Sequence, residues 1–340
     1  MNFNQELDKK IKKIEEILMD YLPLESGFQK TVLKAMNYSI LAGGKRLRPL
    51  LMLEAYQMFG GKERMVEPFV AAIEMVHTYS LVHDDLPCMD DDEYRRGKKT
   101  THAVYGQGMA LLAGDGLLNL AYETAAEAVA KAEGERERLL AAQALVIFAK
   151  KAGVYGMIGG QVADIEAEGM GQEMTMQQLT FIHAHKTAAL IQAALMVGAT
   201  LAGASEEIVK RLEDCGYQIG LAFQIQDDIL DMSRDSQKLG KPAGSDLAHG
   251  IMTLPTILVL QKEFAGKEEL IHSIKSQFPG GQAEVNHAIS IIIRQGGLQD
   301  AEAYGEGYLA QATACIEQLP DVKLKKQLMS GVKFLRERAF

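Results

Sequence analysis

The 340-residue chain contains no tryptophan, only three cysteines and only eight prolines. The cysteines, at Cys88, Cys215 and Cys315, are odd in number and far apart, so they match neither a disulfide framework nor a paired zinc site. No proline-rich linker or low-complexity tract divides the chain, and its hydrophobic fraction of 47% is too high for a disordered protein. These shortages exclude small disulfide-bonded secreted proteins and favour a large folded core in a reducing compartment.

Positive charge is also scarce, because 36 lysines and arginines stand against 45 aspartates and glutamates, for a net charge of −9. A nucleic-acid partner is therefore not expected, since phosphate backbones require a positive surface. Residues 1–20 are charged and lack the apolar core of a signal peptide. The least polar stretch, 188–204, contains Gln192 and Thr200 and is shorter than the roughly 20 apolar residues that cross a bilayer. We expect a cytoplasmic protein without stable membrane insertion.

Alanine, leucine, methionine, glutamine, glutamate and lysine are plentiful, a composition that favours helices over strands. Apolar residues recur at three- and four-residue spacing in about a dozen segments, which predicts an all-α fold. The predicted helices are 4–22, 27–42, 48–59, 66–86, 106–131, 136–155, 176–203, 206–233, 253–264, 283–296, 299–317 and 321–338. Because no change in composition separates them, we expect a single domain over residues 1–340.

The first acidic cluster lies between His83 and Gly97, where the sequence reads HDDLPCMDDDEYRRG. Two unit charges about 4 Å apart repel each other by roughly 4 kcal/mol at an effective dielectric constant of about 20, so carboxylates gathered in a cleft need cations. A solvated surface loop is the alternative interpretation. The cluster, however, follows an apolar helix that Pro87 ends, and His77 precedes Asp84 by seven residues on nearly the same helical face. These details favour a cation site.

The second acidic cluster is the sequence FQIQDDILDM, which contains Asp227, Asp228 and Asp231. On a helix this spacing places the three carboxylates within an arc of about 100°, among apolar neighbours such as Phe223 and Ile229. A purely structural helix face remains an alternative. Mg²⁺ fits two such clusters, because it commonly binds one or two carboxylates and takes its other ligands from waters and substrate phosphates.

Two other interpretations of the carboxylates fit less well. An EF-hand calcium loop from Asp90 onward would place Tyr94 and Arg95 where a ligand and a glycine belong. A glycosidase needs one pair of carboxylates, whereas this chain has two clusters of three or more. Several Mg²⁺ ions bridging a polyphosphate therefore fit better.

Basic residues near the clusters suit phosphate oxygens. Arg95 and Arg96 directly follow the first cluster, and the motif GGKRLRP occupies residues 43–49. Further along the chain, the motifs HKT and GKPAGSD contain Lys186 and Lys241. Guanidinium groups bind phosphate through paired hydrogen bonds and a glycine pair leaves the backbone open, although a glycine turn with basic residues can also simply cap a helix. The pattern is not a P-loop, which disfavours nucleotide hydrolysis.

His183 and His185 are two residues apart, which points them to different sides of a helix. We predict packing or surface roles for them rather than metal binding. No Ser/His/Asp or Cys/His arrangement is recognisable, and Cys88 lies in acidic surroundings that disfavour a thiolate. A side-chain nucleophile is therefore not expected.

Taken in order, these motifs resemble those of the trans-prenyl diphosphate synthases, closest to the short-chain bacterial farnesyl and geranylgeranyl diphosphate synthases. The matching stretches are GGKRLRP, HTYSLVHDDLP, RRG, LAGDGLL, GGQVADI, HKT, DDILD and GKPAGSD. DDLPCMD at 84–90 resembles the first Asp-rich motif with two inserted residues, and DDILD at 227–231 resembles the second. The resemblance covers the chain from about residue 25 to 338.

The resemblance implies one large all-α helical bundle of the isoprenoid synthase type around a deep central cavity, usually assembled as a homodimer. It implies a prenyltransferase that condenses isopentenyl diphosphate head to tail with an allylic diphosphate, dimethylallyl or geranyl, and releases pyrophosphate. The implied cofactor is Mg²⁺, as three ions with the bound diphosphate, with Mn²⁺ as a substitute. Breaking the allylic C–O bond leaves pyrophosphate and a carbocation, so catalysis would be mainly electrostatic.

The resemblance also implies roles for individual residues. Those implied to hold Mg²⁺ against the allylic diphosphate are Asp84, Asp85, Asp90, Asp227, Asp228 and Asp231. Those implied to contact that diphosphate are Arg95, Lys186 and Lys241, and those implied to bind isopentenyl diphosphate are Gly44, Lys45, Arg48, His77 and Arg96. Those implied to face the reacting carbon are Thr187 and Gln224, with Gln161 and Asp164 supporting the metal site. The implied catalytic set is Lys186, Thr187, Gln224, Asp84 and Asp227.

Two positions bear on the product and on substrate binding. In the family a bulky residue five positions before the first Asp-rich motif forms the cavity floor, and here that residue is Tyr79, followed by the small Ser80. This favours farnesyl diphosphate as the product, with geranylgeranyl diphosphate as the alternative. Many members carry a lysine shortly after the GKPAGSD segment, where this chain has Ile251, so one cationic contact is missing.

Two functions from other classes stay open. A terpene cyclase or a head-to-head condensing enzyme also ionises diphosphates inside a helical fold, but it would have no use for the isopentenyl diphosphate residues. A non-catalytic subunit of a heteromeric prenyl synthase is the other possibility, and the intact acidic motifs argue against it.

Overall fold

The computed structural model describes residues 3–61, 64–167, 174–233 and 243–319. These ranges are helical apart from turns and one short antiparallel hairpin, in which β1 (Tyr94–Arg95) pairs with β2 (Lys98–Lys99) and Tyr94 lies opposite Lys99. The all-α fold predicted from the sequence is therefore confirmed.

The chain divides into two compact units. Unit 1 consists of Met1–Lys150 and Ala193–Lys210, and unit 2 consists of Lys151–Gln192 and Arg211–Phe340. The single domain expected from the sequence stays a prediction. Each unit contains one of the two acidic motifs, the first in unit 1 and the second in unit 2.

The first seven helices build most of unit 1. They are α1 (Phe3–Tyr21), α2 (Lys30–Ile40), α3 (Leu47–Met58), α4 (Glu67–Asp84), α5 (Thr101–Tyr105), α6 (Gln107–Lys131) and α7 (Glu135–Ala152), with a 3₁₀ turn at Arg64–Val66. Helix α4 contacts α1, α2, α3 and α6. Every residue of α4 from Phe69 to Val76 is buried, because this stretch of the helix is apolar with the exception of Glu74. The end of this buried helix carries the first acidic motif.

The remaining helices build most of unit 2. They are α8 (Met157–Ala167), α9 (Met176–Ile182), a π-helical turn (His183–Ala188), α10 (Ala189–Leu201), α11 (Glu206–Met232), α12 (Ser245–Ala248), α13 (Leu254–Leu260), α14 (Lys267–Lys275), α15 (Gln282–Arg294) and α16 (Gly297–Glu317). Most of α10 and the first residues of α11 fall within Ala193–Lys210 and so belong to unit 1. The core of unit 2 joins apolar residues of α11, such as Ile225 and Ile229, to residues such as Val259 and Ile292 of the later helices. The polar edge of α11 carries the second acidic motif.

The structure differs from the predicted helices at a few places. The sequence predicts one helix over 176–203, whereas the structure has a π-helical turn between α9 and α10, because apolar spacing does not reveal a single widened turn. Helix α8 was not predicted, since its paired glycines weaken the helical pattern, and neither was the short, charged α14. The predicted helix 321–338 lies outside the described residues.

One described segment, Glu135–Ala167, is long and apolar enough to cross a membrane when length and composition alone are considered, and 28% of its most apolar window is buried. The structure interrupts this segment, because α7 ends at Ala152 and α8 begins at Met157. Core helices of soluble proteins meet the same criteria of length and composition.

Helix α8 packs closely against the π-helical turn at Gly160. A Cβ atom at Gly160 would lie 2.0 Å from the backbone nitrogen of Lys186, whereas a Cβ at Gly307 of α16 would meet nothing within 4 Å. We expect Gly160→Ala to lower the free energy of unfolding by about 1–3 kcal/mol through overpacking. Gly307→Ala should raise it by up to about 1 kcal/mol, because alanine is the better helix former. Urea unfolding followed by circular dichroism measures both, and a Gly160→Ala protein as stable as the wild type would contradict the close packing.

Candidate active site

The first acidic motif begins at the end of α4 in unit 1. Asp84, the last residue of the helix, is half-buried, and Asp90 is exposed in the following loop. The backbone N–H of Asp90 donates to the carbonyl oxygen of Asp84 over 2.9 Å. Within the loop, the N–H of Met89 donates to the carbonyl of Leu86 over 2.8 Å. The longer form of the motif therefore makes a tight turn that returns Asp90 to Asp84.

Asp85 has a different environment from its two neighbours in the motif. It is 4% exposed, and its Oδ1 accepts a hydrogen bond of 2.6 Å from Nε of Arg95. Nη2 of Arg95 lies 3.3 Å from Oδ2 of Asp92. Burial raises the pKa of Asp85, and the positive charge of Arg95 partly offsets that effect. Asp85 therefore holds the hairpin arginine beside the acidic motif.

Arginines surround His77 on α4. Nε2 of His77 lies 3.4 Å from Nη1 of Arg48. Burial lowers the pKa of His77 well below its usual range, and the positive charges of Arg48, Arg96, Arg95 and Arg46 lower it further. His77 is therefore neutral at pH 7, and the guanidinium groups around it form a region that suits an anion.

The glycine pair of GGKRLRP makes room for one of these arginines. The carbonyl oxygen of Gly43 accepts a hydrogen bond from Arg96. Gly44 has a φ of +148°, and a Cβ atom there would overlap the guanidinium group of Arg96. Lys45, the next residue, is exposed. The structure thus brings together, in one region of unit 1, the predicted residues Gly44, Arg48, His77 and Arg96.

The sequence interpretation missed Arg46, which organises this region. Arg46 has a left-handed backbone with φ of 48° and is 4% exposed. Its Nη1 donates to the carboxylate of Glu74 over 2.7 Å, and its Nη2 donates to the carbonyl of Ile40 over 2.8 Å. The one acid inside the apolar stretch of α4 was the available signal, because a buried carboxylate requires a positive partner.

Tyr79 packs between α4 and α6, close to the acidic motif. It is 5% exposed, and its ring meets that of His83 edge-on at a centroid distance of 5.7 Å. Burial raises the pKa of Tyr79, with smaller contributions from Tyr122 of α6 and from Asp84. His83 in turn lies over Gly114 of α6, where a Cβ atom would be 2.1 Å from its Nε2. The LAGDGLL motif therefore lets α6 approach this end of α4.

Ser80, the small residue after Tyr79, is half-buried, and its hydroxyl donates to the carbonyl of His77 over 3.0 Å. Its side chain is thus turned back along α4. Of these two positions, Tyr79 contributes the bulk.

In unit 2, the π-helical turn carries the HKT motif and packs against α8. Nζ of Lys186 lies 2.6 Å from Oδ2 of Asp164 on α8, and Gly160 allows the two backbones to approach. Gln161 is half-buried on the same helix. The hydroxyl of Thr187 donates to Oε1 of Gln224 on α11 over 2.7 Å. The structure therefore pairs Lys186 with Asp164 and Thr187 with Gln224, while the roles that the resemblance implies for them stay predictions.

The three aspartates of the second acidic motif have unequal surroundings. Asp227 is exposed and Asp228 is 2% exposed. Oδ2 of Asp228 accepts the N–H of Leu254 at the start of α13 over 3.1 Å. The carboxylate of Asp231 accepts the N–H groups of Ser245 and Asp246 at the start of α12, over 3.1 and 3.3 Å. Two of the three carboxylates thus bind the first amides of the following helices, where negative charge is favourable.

The two histidines of the HKT segment have different contacts. His185 stacks on Phe181 with ring centroids 3.9 Å apart, which agrees with the predicted surface role. His183 is 6% exposed, as predicted for a packing residue, but its Nε2 also lies 3.4 Å from Oδ2 of Asp228. His183 is therefore part of the polar interior of unit 2.

Comparison with known proteins agrees with these motifs. A family model described as polyprenyl synthetase matches residues 29–292.

The chain belongs to the polyprenyl synthetase family.

Among curated relatives, the chloroplastic heterodimeric geranylgeranyl pyrophosphate synthase large subunit 1 of Arabidopsis thaliana is 44% identical over 73% of this chain and 66% of its own length. The farnesyl diphosphate synthase of Geobacillus stearothermophilus is 42% identical over 81% of this chain and 90% of its own length. The crystal structure of geranylgeranyl pyrophosphate synthetase from Pyrococcus horikoshii Ot3 matches with a TM-score of 0.85 at 33% identity, covering 98% of this chain and 97% of that one. The chain therefore spans slightly less than two thirds of the first relative and most of the other two.

Within the described ranges of this polyprenyl synthetase, no three His, Cys, Asp or Glu side chains are grouped so as to enclose a metal ion by themselves. Mg²⁺ commonly completes its shell with waters and substrate phosphates, so clusters that supply one or two carboxylates suit it. Lys241, the remaining predicted diphosphate contact, lies outside the described residues. Ile251 is half-buried in the turn after α12, where its N–H donates to the carbonyl of Asp246 over 2.9 Å.

Asp246 is an acid of this site that the sequence interpretation missed, although it belongs to the GKPAGSD motif. Burial raises its pKa to about 8, together with the negative charges of Asp231, Asp228 and Asp164, whereas Lys186 lowers it. Four carboxylates thus share this part of unit 2 with one lysine. The arrangement favours a protonated Asp246 in the metal-free protein.

The raised pKa of Asp246 predicts a dependence of stability on pH in the metal-free protein. Between its ordinary value of 3.8 and about 8, the folded state retains a proton that the unfolded state has lost, so stability falls as the pH rises through this window. Asp246→Asn removes this penalty. Its melting temperature in EDTA should equal that of the wild type near pH 4 and exceed it increasingly up to about pH 8. A difference that does not change with pH would show that Asp246 ionises normally.

Proposed function

We propose that this polyprenyl synthetase is a Mg²⁺-dependent prenyltransferase that condenses isopentenyl diphosphate head to tail with dimethylallyl or geranyl diphosphate, giving farnesyl diphosphate and pyrophosphate. The observation that carries the proposal is the arginine-rich region around neutral His77, separate in sequence from the second acidic motif. A condensing enzyme needs a diphosphate site that works without metal in addition to the acidic motifs. A terpene cyclase, with one diphosphate substrate, does not.

Isopentenyl diphosphate would bind to the arginine-rich region in unit 1. Arg48 and Arg96 supply guanidinium donors, and Gly44 leaves the backbone open beside Arg96. A neutral His77 can donate one hydrogen bond without adding charge, and exposed Lys45 adds a further cation. The buried pair of Arg46 and Glu74 holds the backbone of this segment in place.

The described residues fit Mg²⁺ by their donor chemistry. Asp84 and Asp90 in unit 1 and exposed Asp227 in unit 2 offer the hard carboxylate oxygens that this ion prefers. Asp85, Asp228 and Asp231 accept hydrogen bonds from protein groups, which favours positioning roles for them over direct coordination. Bound Mg²⁺, proposed as three ions with Mn²⁺ as a substitute, would neutralise charge on the departing pyrophosphate.

The side chains around the allylic substrate would divide the remaining tasks. Arg95 and Lys186, each fixed by an aspartate, would bind the diphosphate, and Lys241 is proposed as a further contact. The oxygens of Thr187 and Gln224 would face the allylic carbocation as it forms. The isopentenyl double bond then attacks the cation, and the proton lost afterwards passes to pyrophosphate. Apolar helices would keep water from capturing the cation.

A homodimer in the cytoplasm is the proposed assembly. Large apolar side chains are about half exposed on α6 and α7 of unit 1, at Leu111, Leu112, Leu139 and Val146. Exposed apolar side chains mark an interaction site in soluble proteins where they join into one patch. A second copy of the chain would cover it. The proposed partners are thus the two substrates and an identical subunit, with no nucleic acid and no stable membrane insertion.

The decisive experiment incubates the protein with Mg²⁺, isopentenyl diphosphate and either dimethylallyl or geranyl diphosphate, and identifies products by mass spectrometry. We expect elongated linear diphosphates that require both substrates and disappear in EDTA. A cyclic hydrocarbon formed from the allylic diphosphate alone would establish a cyclase. Elongation that appears only when a second, different subunit is added would establish the heteromeric alternative. The related Arabidopsis protein is itself named as the large subunit of a heterodimeric synthase.

The product length provides a separate test. Buried Tyr79 beside the acidic motif favours a pocket that ends near fifteen carbons. Tyr79→Ala should therefore shift the main product to twenty carbons or more, and Tyr79→Phe, which keeps the ring, should not. Chain lengths are read by mass spectrometry of the dephosphorylated products. A wild type that already makes geranylgeranyl diphosphate, or an unchanged spectrum for Tyr79→Ala, would contradict this assignment of the cavity floor.

A further inference from the structure

A chain of four polar side chains runs through the interior of unit 2, from the π-helical turn to α11 and back. The hydroxyl of Thr187 donates to Oε1 of Gln224 over 2.7 Å. Nε2 of Gln224 donates to Oδ1 of Asp228 over 3.3 Å. Oδ2 of Asp228 accepts the N–H of Leu254 over 3.1 Å and lies 3.4 Å from Nε2 of His183. Three of these side chains, on Thr187, Asp228 and His183, are 8% exposed or less.

The direction of each hydrogen bond follows from the chemistry of Asp228. An ionised carboxylate accepts hydrogen bonds and cannot donate them. The amide group of Gln224 that faces Asp228 must therefore be its NH₂, and its carbonyl oxygen must face Thr187. Because a threonine hydroxyl has a single proton, Thr187 has no further hydrogen bond to donate once it donates to Gln224. Only its lone pairs remain for any other neighbour.

That polarity matters for a reaction that passes through a carbocation. An oxygen lone pair directed at a developing positive charge stabilises it, whereas a hydroxyl proton in the same place repels it. A dipole fixed before the reaction also costs no reorganisation during it. Thr187 with its proton turned away from the substrate is therefore the arrangement that the chemistry needs.

We propose that Asp228, held by His183 and by the first amide of α13, is a positioning residue that sets the donor and acceptor directions of Gln224 and Thr187, so that Thr187 presents lone pairs to the allylic carbocation. The inference rests on the proposed function. It assigns His183 the role of holding the Asp228 carboxylate in place. It also assigns Asp228 a different role from its neighbour Asp227. Asp227 is exposed and is proposed to bind metal, whereas Asp228 is 2% exposed and faces the protein.

A single-atom change tests the direction of the chain. In Asp228→Asn the side chain can keep its oxygen toward Leu254 only by turning its NH₂ toward Gln224. Gln224 must then present its oxygen to Asn at 228 and its NH₂ to Thr187, which turns the Thr187 proton toward the substrate. We expect the turnover number with geranyl and isopentenyl diphosphates to fall by about 10²-fold, the usual effect of losing one preorganised stabilising group. The KM values and the Mg²⁺ concentration for half-maximal activity should change by less than about twofold.

Adding Gln224→Glu should rescue this loss. In the Asp228→Asn/Gln224→Glu double variant, the new amide donates to the new carboxylate, which also accepts the proton of Thr187, so the original direction is restored and the total charge is kept. The turnover number should recover at least about tenfold relative to either single variant. Circular dichroism and thermal melting show whether each variant is folded. If one single variant folds poorly, the double variant is compared with the other single variant.

Two further variants separate this role from its alternatives. Asp227→Asn should raise the Mg²⁺ concentration for half-maximal activity, and Asp214→Asn, at an exposed position of the same helix, should behave as the wild type. A Mg²⁺ shift in Asp228→Asn equal to that in Asp227→Asn would make Asp228 a metal ligand and overturn the inference. A well-folded double variant without recovery would also overturn it. Failure of the wild type itself to elongate would instead refute the proposed function.

Discussion

Carboxylates that are gathered in a small volume must be neutralised, and this constraint shapes each of the two acidic motifs. Each acidic motif contains an aspartate that is almost completely buried, Asp85 in unit 1 and Asp228 in unit 2. Asp85 is paired with Arg95, and Asp228 accepts a hydrogen bond from the backbone N–H of Leu254 at the start of α13. The protein therefore compensates the inner carboxylates with its own groups. The outer ones, such as exposed Asp90 and Asp227, are those that a hydrated cation can reach.

The arginine-rich region around His77 in unit 1 also needs its charges compensated, here positive ones. Arg46 is buried with Glu74, and this pair fixes the segment from which Arg48 extends toward His77. Desolvation and neighbouring guanidinium groups keep His77 neutral. A protonated histidine among arginines would add repulsion, whereas a neutral one adds a hydrogen bond. A diphosphate bound there would lower the electrostatic repulsion among the arginines. The arrangement of guanidinium groups therefore favours anion binding.

The sequence allowed the helical fold to be predicted, because apolar periodicity is a local property. The candidate site residues came from the order of the motifs and their resemblance to a family, and the roles of these residues stay predictions. The sequence could not show that Asp228 is buried while Asp227 is exposed. Helical spacing places both carboxylates on one side of α11 but does not show which of them accepts an N–H from the start of a later helix. Arg46 and Asp246 were missed for a related reason: their partners, Glu74 and Asp231, are distant in the chain. The π-helical turn escaped prediction because one widened turn leaves the hydrophobic pattern almost unchanged.

The net charge of −9 disfavours a nucleic-acid partner, and this expectation applies to large polyanions rather than to small ones. A long nucleic acid meets the average charge of a surface, whereas a diphosphate meets a few side chains within a Debye length of about 10 Å. Around His77 those side chains are arginines. The carboxylates of the acidic motifs would attract a diphosphate only with divalent cations bound, as we propose. In the proposed function, two substrates that carry the same charged group would differ in how that group is neutralised, one by guanidinium groups and the other by metal. That difference would assign each substrate its place, because only the metal-bound diphosphate would be prepared to leave.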